Sequence, residues 1–269
     1  MVFVLEVLEI IDPSLILLPL FGFLIGLFVT VIGGGGGVFY VPVLTLLFNV
    51  PTQLAVATSL ASVLPTTIMG TISHNRIGNV NFHIGLIFGI GGITGALIGA
   101  YISNLLPSIL LRKILGVFLL IMIIPMVSSA IKRHKNPVSR KRKSTIITGP
   151  KKFAGSLFGV VSGILAGVFG ISGTPPVTAG LYILGLPAAV VVGTSIFVLI
   201  FNSLSGVAGY FMLGQFDPML IILLGGGGAI GAFVGPKLVN KIEDQTLEKI
   251  YAPLLVFLNL ILGFAMILR

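Results

Sequence analysis

Six long stretches of this sequence contain no Asp, Glu, Lys or Arg: 13–75, 77–111, 114–131, 153–216, 218–236 and 250–268. A helix needs about 20 mostly apolar residues to span a bilayer. The stretches and their margins hold roughly eight hydrophobic segments, 15–32, 54–73, 82–103, 109–130, 153–169, 188–212, 218–239 and 247–268. The chain is 56% hydrophobic and 9% charged, whereas a soluble domain carries roughly 25% charged residues. No soluble core of this size could hide so much apolar surface. The runs do not alternate apolar and polar residues as barrel strands do. They predict an all-α polytopic membrane protein. There is no cysteine, so disulfides, thiolate metal sites and a Cys nucleophile are excluded. Glu6, Glu9 and Asp12 stand where a signal peptide would be basic, so the first segment reads as part of the membrane unit.

Charge is concentrated in one place. Of 16 basic residues, nine fall within 132–152: Lys132, Arg133, Lys135, Arg140, Lys141, Arg142, Lys143, Lys151 and Lys152. A basic run can bind nucleic acid. Between apolar helices it reads instead as a positive-inside signal, which predicts a cytoplasmic linker in contact with anionic lipid and no nucleic-acid partner. The chain divides into a first membrane repeat (1–131), the linker (132–152) and a second repeat (153–269).

The two repeats align without a gap when Pro51 is laid on Pro187. In that single register Thr58-Ser59 meets Thr194-Ser195, and Asn104 meets Asn240. Nine glycines also find glycine partners, among them Gly34/Gly170, Gly37/Gly173, Gly78/Gly214 and Gly95/Gly231. Duplicated units with a site at their interface are a common plan for secondary transporters. Each copy opens with an interrupted segment. The first interruption is Gly33-Gly34-Gly35-Gly36-Gly37 and the second is Gly170-Ile171-Ser172-Gly173-Thr174-Pro175-Pro176. Each helical glycine costs about 1 kcal/mol relative to Ala, and proline removes a backbone donor. These segments are expected to be broken or re-entrant. Irregular backbone at membrane depth is tolerated only inside protein or beside a wet cavity. Gly89, Gly91, Gly92, Gly95, Gly99 and their partners read as helix-packing residues. The five-glycine run reads as an unwound substrate loop, with packing the competing reading.

The run 32–37, followed by Val41-Pro42, then Ala55-Val56-Ala57-Thr58-Ser59-Leu60 and Arg76-Ile77-Gly78-Asn79-Val80, resembles the TauE/SafE sulfite-exporter family, also known as the toluene-sulfonate uptake permease type. Gly193-Thr194-Ser195 and Asn202-Ser203-Leu204-Ser205-Gly206 extend the likeness into the second copy, whose break lacks the expected glycine triplet. The resemblance implies secondary transport of sulfite, sulfonates, sulfoacetate or related organic anions.

Backbone N–H groups at a helix break, reinforced by a positive helix end, suit sulfonate or carboxylate oxygens. The expected substrate-binding set is Gly33, Gly34, Gly35, Gly36, Gly37, Thr58, Ser59, Asn75, Arg76, Ser172, Gly173, Thr174, Thr194, Ser195 and Asn202, with Thr66, Thr67 and Ser203 nearby. The hydroxyls also have a simpler use, bonding their own helix. Arg76 reads either as an anion attractor at the cytoplasmic mouth or as a positive-inside anchor. His74 and His83 read as loop residues. No catalytic pair, cofactor motif or metal-ligand spacing is present, so an enzyme is not expected. All seven carboxylates lie at segment ends or in connections. A proton relay inside the membrane is therefore not expected; hydroxyls and unwound carbonyls leave sodium coupling open, and anion export down the membrane potential is the simpler expectation. A passive channel or a scaffold is the alternative, and a homodimer is compatible with the sequence. With the broken segments re-entrant, three crossings remain per repeat. The repeats are then inverted, with an acidic N-terminus outside and the linker inside; if the broken segments cross instead, the repeats are parallel and Lys237, Lys241 and Lys249 face outward.

Overall fold

The computed structural model describes residues 13–32, 34–135, 149–239 and 244–269. The acidic N-terminal residues, Gly33 and linker residues 136–148 lie outside the described residues. Those described form helices joined by short turns, with no strand among them. After a 3-10 turn at Pro13–Leu17 come α1 (Leu18–Ile32), α2 (Gly37–Leu46), α3 (Thr52–Arg76), α4 (Phe82–Leu105) and α5 (Ser108–Lys135). Then follow α6 (Gly149–Phe169), α7 (Thr174–Ile183), α8 (Ala188–Met212), α9 (Pro218–Val239) and α10 (Asp244–Leu268). Helices α3, α4, α5, α8 and α9 are long and apolar enough to cross a membrane. α5 and α6 run into the two ends of the stretch read as a linker.

Local chemistry explains the boundaries. Pro51 and Pro187 sit just before α3 and α8 in extended backbone, where a missing N–H costs nothing. Gly78, at φ 74°, ends α3: its N–H bonds the Asn75 carbonyl while the Asn79 N–H bonds that of His74. This double closure needs a left-handed residue, which glycine supplies without strain. Gly214 ends α8 in the same way, with bonds to Phe211 and from Gln215 to Tyr210. Asn81 Oδ1 then caps α4 on the Ile84 N–H, and Asp217 Oδ1 caps α9 on Met219 and Leu220.

Helices α3 and α8 pack against each other at the centre. α9 lies on α3 and α4 lies on α8, while α1 packs on α9 and α6 on α4. Each of these last pairs runs side by side in the same direction along columns of glycine. Gly22 and Gly26 face Gly228, Gly231 faces Phe23, and Gly235 faces Leu27. Likewise Gly159 faces Phe88, Gly95 faces Val160, and Gly167 faces Ala96. A glycine in these columns lets the neighbouring backbone approach without a side chain between. The pair α5 and α10 closes the bundle at one side, meeting at Gly116 and Gly263. Exposed rows such as Leu86, Ile90, Leu97 and Tyr101 on α4 give lipid an apolar surface.

Three contacts fix the bundle ends. Gln53 Nε2 donates to the Leu106 carbonyl at 2.7 Å, which joins the start of α3 to the end of α4. Arg269 Nη2 donates to Asn49 Oδ1 at 2.7 Å, which brings the end of α10 to the same face. The Asn81 N–H donates to Thr194 Oγ1 at 3.0 Å, which joins the starts of α4 and α8 at the opposite face. α5 begins at the first face and runs toward the linker at the second. His74, expected in a loop, is instead buried in the last turn of α3, where its Nε2 meets the Thr30 carbonyl at 2.9 Å. Helical periodicity carried one turn past the apolar run made this difference.

The glycine columns make a paired prediction. A Cβ at Gly227 would strike the backbone of Pro19, whereas a Cβ at the adjacent Gly226 meets nothing within 4 Å. Gly227→Ala should destabilise by about 1–3 kcal/mol, and Gly226→Ala should be neutral or stabilise by up to ~1 kcal/mol. Thermal unfolding of the purified protein in detergent checks this. Equal melting of the two variants would contradict the packing.

Candidate functional site

The two helix breaks meet. α1 ends near the linker-side face, where Thr30 touches His74, and the chain turns back through Gly34–Gly36 into α2. Gly34 N–H bonds back to the Val29 carbonyl at 2.8 Å. Gly36, at φ 92°, is the N-cap of α2, and a Cβ there would run into the Tyr40 ring. In the second half Gly170 (φ 68°), Ser172 (φ 60°) and Gly173 (φ 75°) turn the chain between α6 and α7. A Cβ on Gly37 would strike the Gly170 carbonyl and, at 2.8 Å, Ile171 Cα. A Cβ on Gly35 would lie 2.7 Å from Val63 Cγ1 and 3.1 Å from Ser172 Oγ. The first break therefore seats directly on the second, beside the middle of α3.

Side chains from the long helices hold this junction. Ser59 Oγ donates to the Gly170 carbonyl at 2.8 Å. Asn202 Nδ2 on α8 donates to the Ser172 carbonyl at 3.1 Å and to Ser162 Oγ at 2.7 Å. Ser162 on α6 in turn donates to the Gly173 carbonyl at 2.7 Å. On the other wall Tyr40 Oη and Thr66 Oγ1 lie 3.2 Å apart, and Thr66 Oγ1 donates to the Ser62 carbonyl. Several buried polar atoms have no partner among the described residues: Thr58 Oγ1, Ser62 Oγ, Asn202 Oδ1 and Ser203 Oγ. A buried polar group without a bond costs about 1–3 kcal/mol. Polar atoms kept at that cost near a helix break are groups a polar ligand would satisfy. Both α2 and α7 begin at the junction, and neither carries an acidic residue in its first turn. Two positive helix ends therefore face it.

Of the residues singled out from the sequence, Gly34, Gly35, Gly36, Gly37, Ser59, Ser172, Gly173, Thr174 and Asn202 come together here, with Thr58 buried nearby on α3. Others go elsewhere. Thr194 holds the start of α4, and Ser195 Oγ bonds the Val192 carbonyl at 2.8 Å. Thr67 Oγ1 likewise bonds its own helix at Val63. Asn75 and Arg76 are exposed at the end of α3, where Arg76 stacks 5.3 Å from the Phe233 ring centre. Arg76 is thirteen residues beyond Val63, which is about 20 Å along the helix. Tyr40, Ser62 and Ser162 were not singled out. Ser62 lies on the helical face shared by Thr58, Ser59 and Thr66, so periodicity contains that signal. Tyr40 and Ser162 are lone polar residues in apolar runs and stand out only once their neighbours are known. Among the described residues no group of three His, Asp or Glu could hold a metal.

Asn202→Ala should remove two donors from buried acceptors and cost about 1–3 kcal/mol, read as a lower melting temperature of the purified protein. An unchanged melting temperature would mean that Asn202 does not hold the second break.

The model of the family described as "Sulfite exporter TauE/SafE" matches residues 18–262. Three relatives are named as probable membrane transporter proteins. YdhB of Bacillus subtilis (strain 168) is 34% identical over 228 residues, covering 84% of this chain and 91% of the relative. YunE of the same organism is 29% identical over 265 residues, covering 91% and 96%. MJ0441 of Methanocaldococcus jannaschii is 30% identical over 205 residues, covering 73% of each. No solved structure matches the chain significantly.

Proposed function

Because this chain belongs to the sulfite exporter TauE/SafE family of multi-pass membrane transporters, we propose that it is a secondary transporter of small sulfur-containing or organic anions. Sulfite, sulfonates and sulfoacetate define the substrate class, and export is the direction. The observation that carries this reading is the junction of the two breaks, where α2 and α7 both begin with no acid in their first turns. An oxyanion there gains the backbone donors that open α2 and the positive ends of both helices, Pro175 and Pro176 leaving α7 fewer donors of its own, and the glycines let its oxygens reach the backbone. Thr58 and Ser62 on α3 add buried hydroxyls that have no partner among the described residues. The tight seating of one break on the other favours a gated carrier over an open pore.

We read the two halves as inverted copies about an axis in the membrane plane. Support comes from the helix ends: α3 begins beside the end of α4 and α8 beside its start, so the two begin at opposite faces, and in the register that lays Pro51 on Pro187, Thr52 and Arg76 of α3 fall on Ala188 and Met212, the first and last residues of α8. The packing is reciprocal as well, since α1 on α9 answers α6 on α4, and α3 on α9 answers α8 on α4. Positive-inside logic puts the basic linker in the cytoplasm of a cell-membrane protein. Residue 241 then faces inward and residue 217 outward. Labelling of Lys241→Cys only from outside, or of Asp217→Cys only from inside, would overturn this orientation.

Two experiments address transport. In proteoliposomes loaded with labelled sulfite or sulfonate, a potassium–valinomycin potential should drive saturable efflux without a pH gradient, because each charge gains about 2.3 kcal/mol per 100 mV. Non-saturating flux would indicate a passive channel, and flux that requires a proton gradient would overturn potential-driven export. The second experiment compares glycines. Gly35→Val should abolish transport with insertion intact. Gly34→Ala should keep it, since its Cβ would lie an ordinary 3.6 Å from the nearest atom. Normal transport by Gly35→Val would move the site away from the break.

A further inference from the structure

A second polar recess lies at the bundle face away from the linker, between the α2–α3 turn and the start of α5. Its walls include Asn49, Thr52, Ser108 and Arg112. Thr52 and Ser108 are the first residues of α3 and α5, so the unpaired N–H groups of two long helices open toward it. No side chain caps α3, and neither helix has an acidic residue in its first turn. Thr52, on the wall of the recess, is only 5% exposed. Arg112 is half-buried, and its Nε, shielded from solvent, lacks a partner among the described residues. Ser108 Oγ is engaged on Gln53 Oε1, and Arg269 reaches the rim through Asn49. Lys113 is exposed beside Arg112. Asp217, among the described residues, is bonded to the start of its own helix, α9. The recess thus gathers a guanidinium with an unpartnered Nε, a buried threonine and two positive helix ends. Every one of these favours an anion.

The equivalent positions in the second copy do not repeat this set. Asn49, Thr52, Ser108 and Arg112 correspond to Gly185, Ala188, Asp244 and Glu248. Two of the four become acids, so the feature belongs to one end of the molecule only. It is also separate from the helix breaks: Gly37 and Thr45 are eight residues apart on α2, about 12 Å, with α2 itself in between.

We propose that this recess is a second anion site, built for an oxyanion group held by Arg112, Thr52 and the first turns of α3 and α5. A free sulfite, sulfate or phosphate and the phosphate of an anionic lipid present the same chemistry to it. The site does not depend on transport at the breaks.

The test uses full-length protein in uncharged detergent, with labelled sulfate and sulfite in equilibrium dialysis. A parallel arm uses phosphatidylcholine nanodiscs with and without phosphatidylglycerol. Arg112→Gln should weaken binding at least ten-fold, and Arg112→Lys should recover it only in part, because an ammonium cannot grip two oxygens at once. Thr52→Val, close in shape and without the hydroxyl, should weaken binding several-fold and serves if Arg112→Gln folds poorly. Gly35→Val should leave the Arg112-dependent binding intact, which separates this site from the breaks. Dependence on Arg112 in the detergent arm identifies a free anion, and dependence only with phosphatidylglycerol identifies a lipid headgroup. Wild-type binding by Arg112→Gln and Thr52→Val in both arms would overturn the proposal. So would an Arg112 effect on stability alone that disappears when Glu6, Glu9 and Asp12 are neutralised, since Arg112 would then be the ion-pair partner of the chain's own acids.

Discussion

Hydrocarbon offers a peptide group no hydrogen bond, so a chain that unwinds twice between membrane helices must bring partners to both places. Here each break is largely the other's surroundings. Gly37 lies on Gly170 and Ile171, and Gly35 lies on Ser172. The carbonyls that unwinding releases are met from the long helices: Gly170 by Ser59, Ser172 by Asn202, and Gly173 by Ser162. The remaining architecture serves this junction. α3 and α8 carry the donors, and α4 and α9 brace them. The glycine columns let α1 and α6 come close enough to deliver the broken ends to the centre.

The two walls of the junction differ in chemistry although the chain is patterned alike around them. In the register that lays Pro51 on Pro187, Asn202 stands against Thr66 and Pro176 against Tyr40. One wall is thus an amide that grips the opposing turn. The other is a tyrosine folded under Gly36, with its hydroxyl on Thr66. The amide spends both donors on Ser162 and Ser172, with its oxygen turned toward Gly92 on α4.

Much of the fold is legible in one dimension because lipid enforces a simple rule. A span without charges is a helix, and Pro51 or Pro187 before an apolar run fixes where that helix begins. The five-glycine run and the Pro175-Pro176 pair likewise mark where helices cannot continue. What stays hidden is who packs with whom. Hydropathy is the same for a residue facing lipid and one facing another helix, so Leu86 and Leu60 look alike although one is exposed and the other wholly buried. The same blindness explains Thr194, which belongs to a helix start instead of the break, and His74, whose burial depends on α1. Asn202 was legible because an amide inside an apolar helix must be satisfied by something. Its partners on α6 and on the turn before α7 were not.

The side-by-side pairing of α1 with α9 also governs the order of assembly. Gly22 rests against Gly228 across roughly 200 residues of chain, so a ribosome working at about 5–20 residues per second leaves α1 waiting on the order of 10–40 s for its neighbour. Through that interval its glycine-faced side has only lipid or chaperone against it, and the first half cannot close on itself. Fragments cut at the linker would therefore be two interlocking pieces, each useless until it meets the other. A first half that lost its own second half could complete itself only by borrowing one from another molecule.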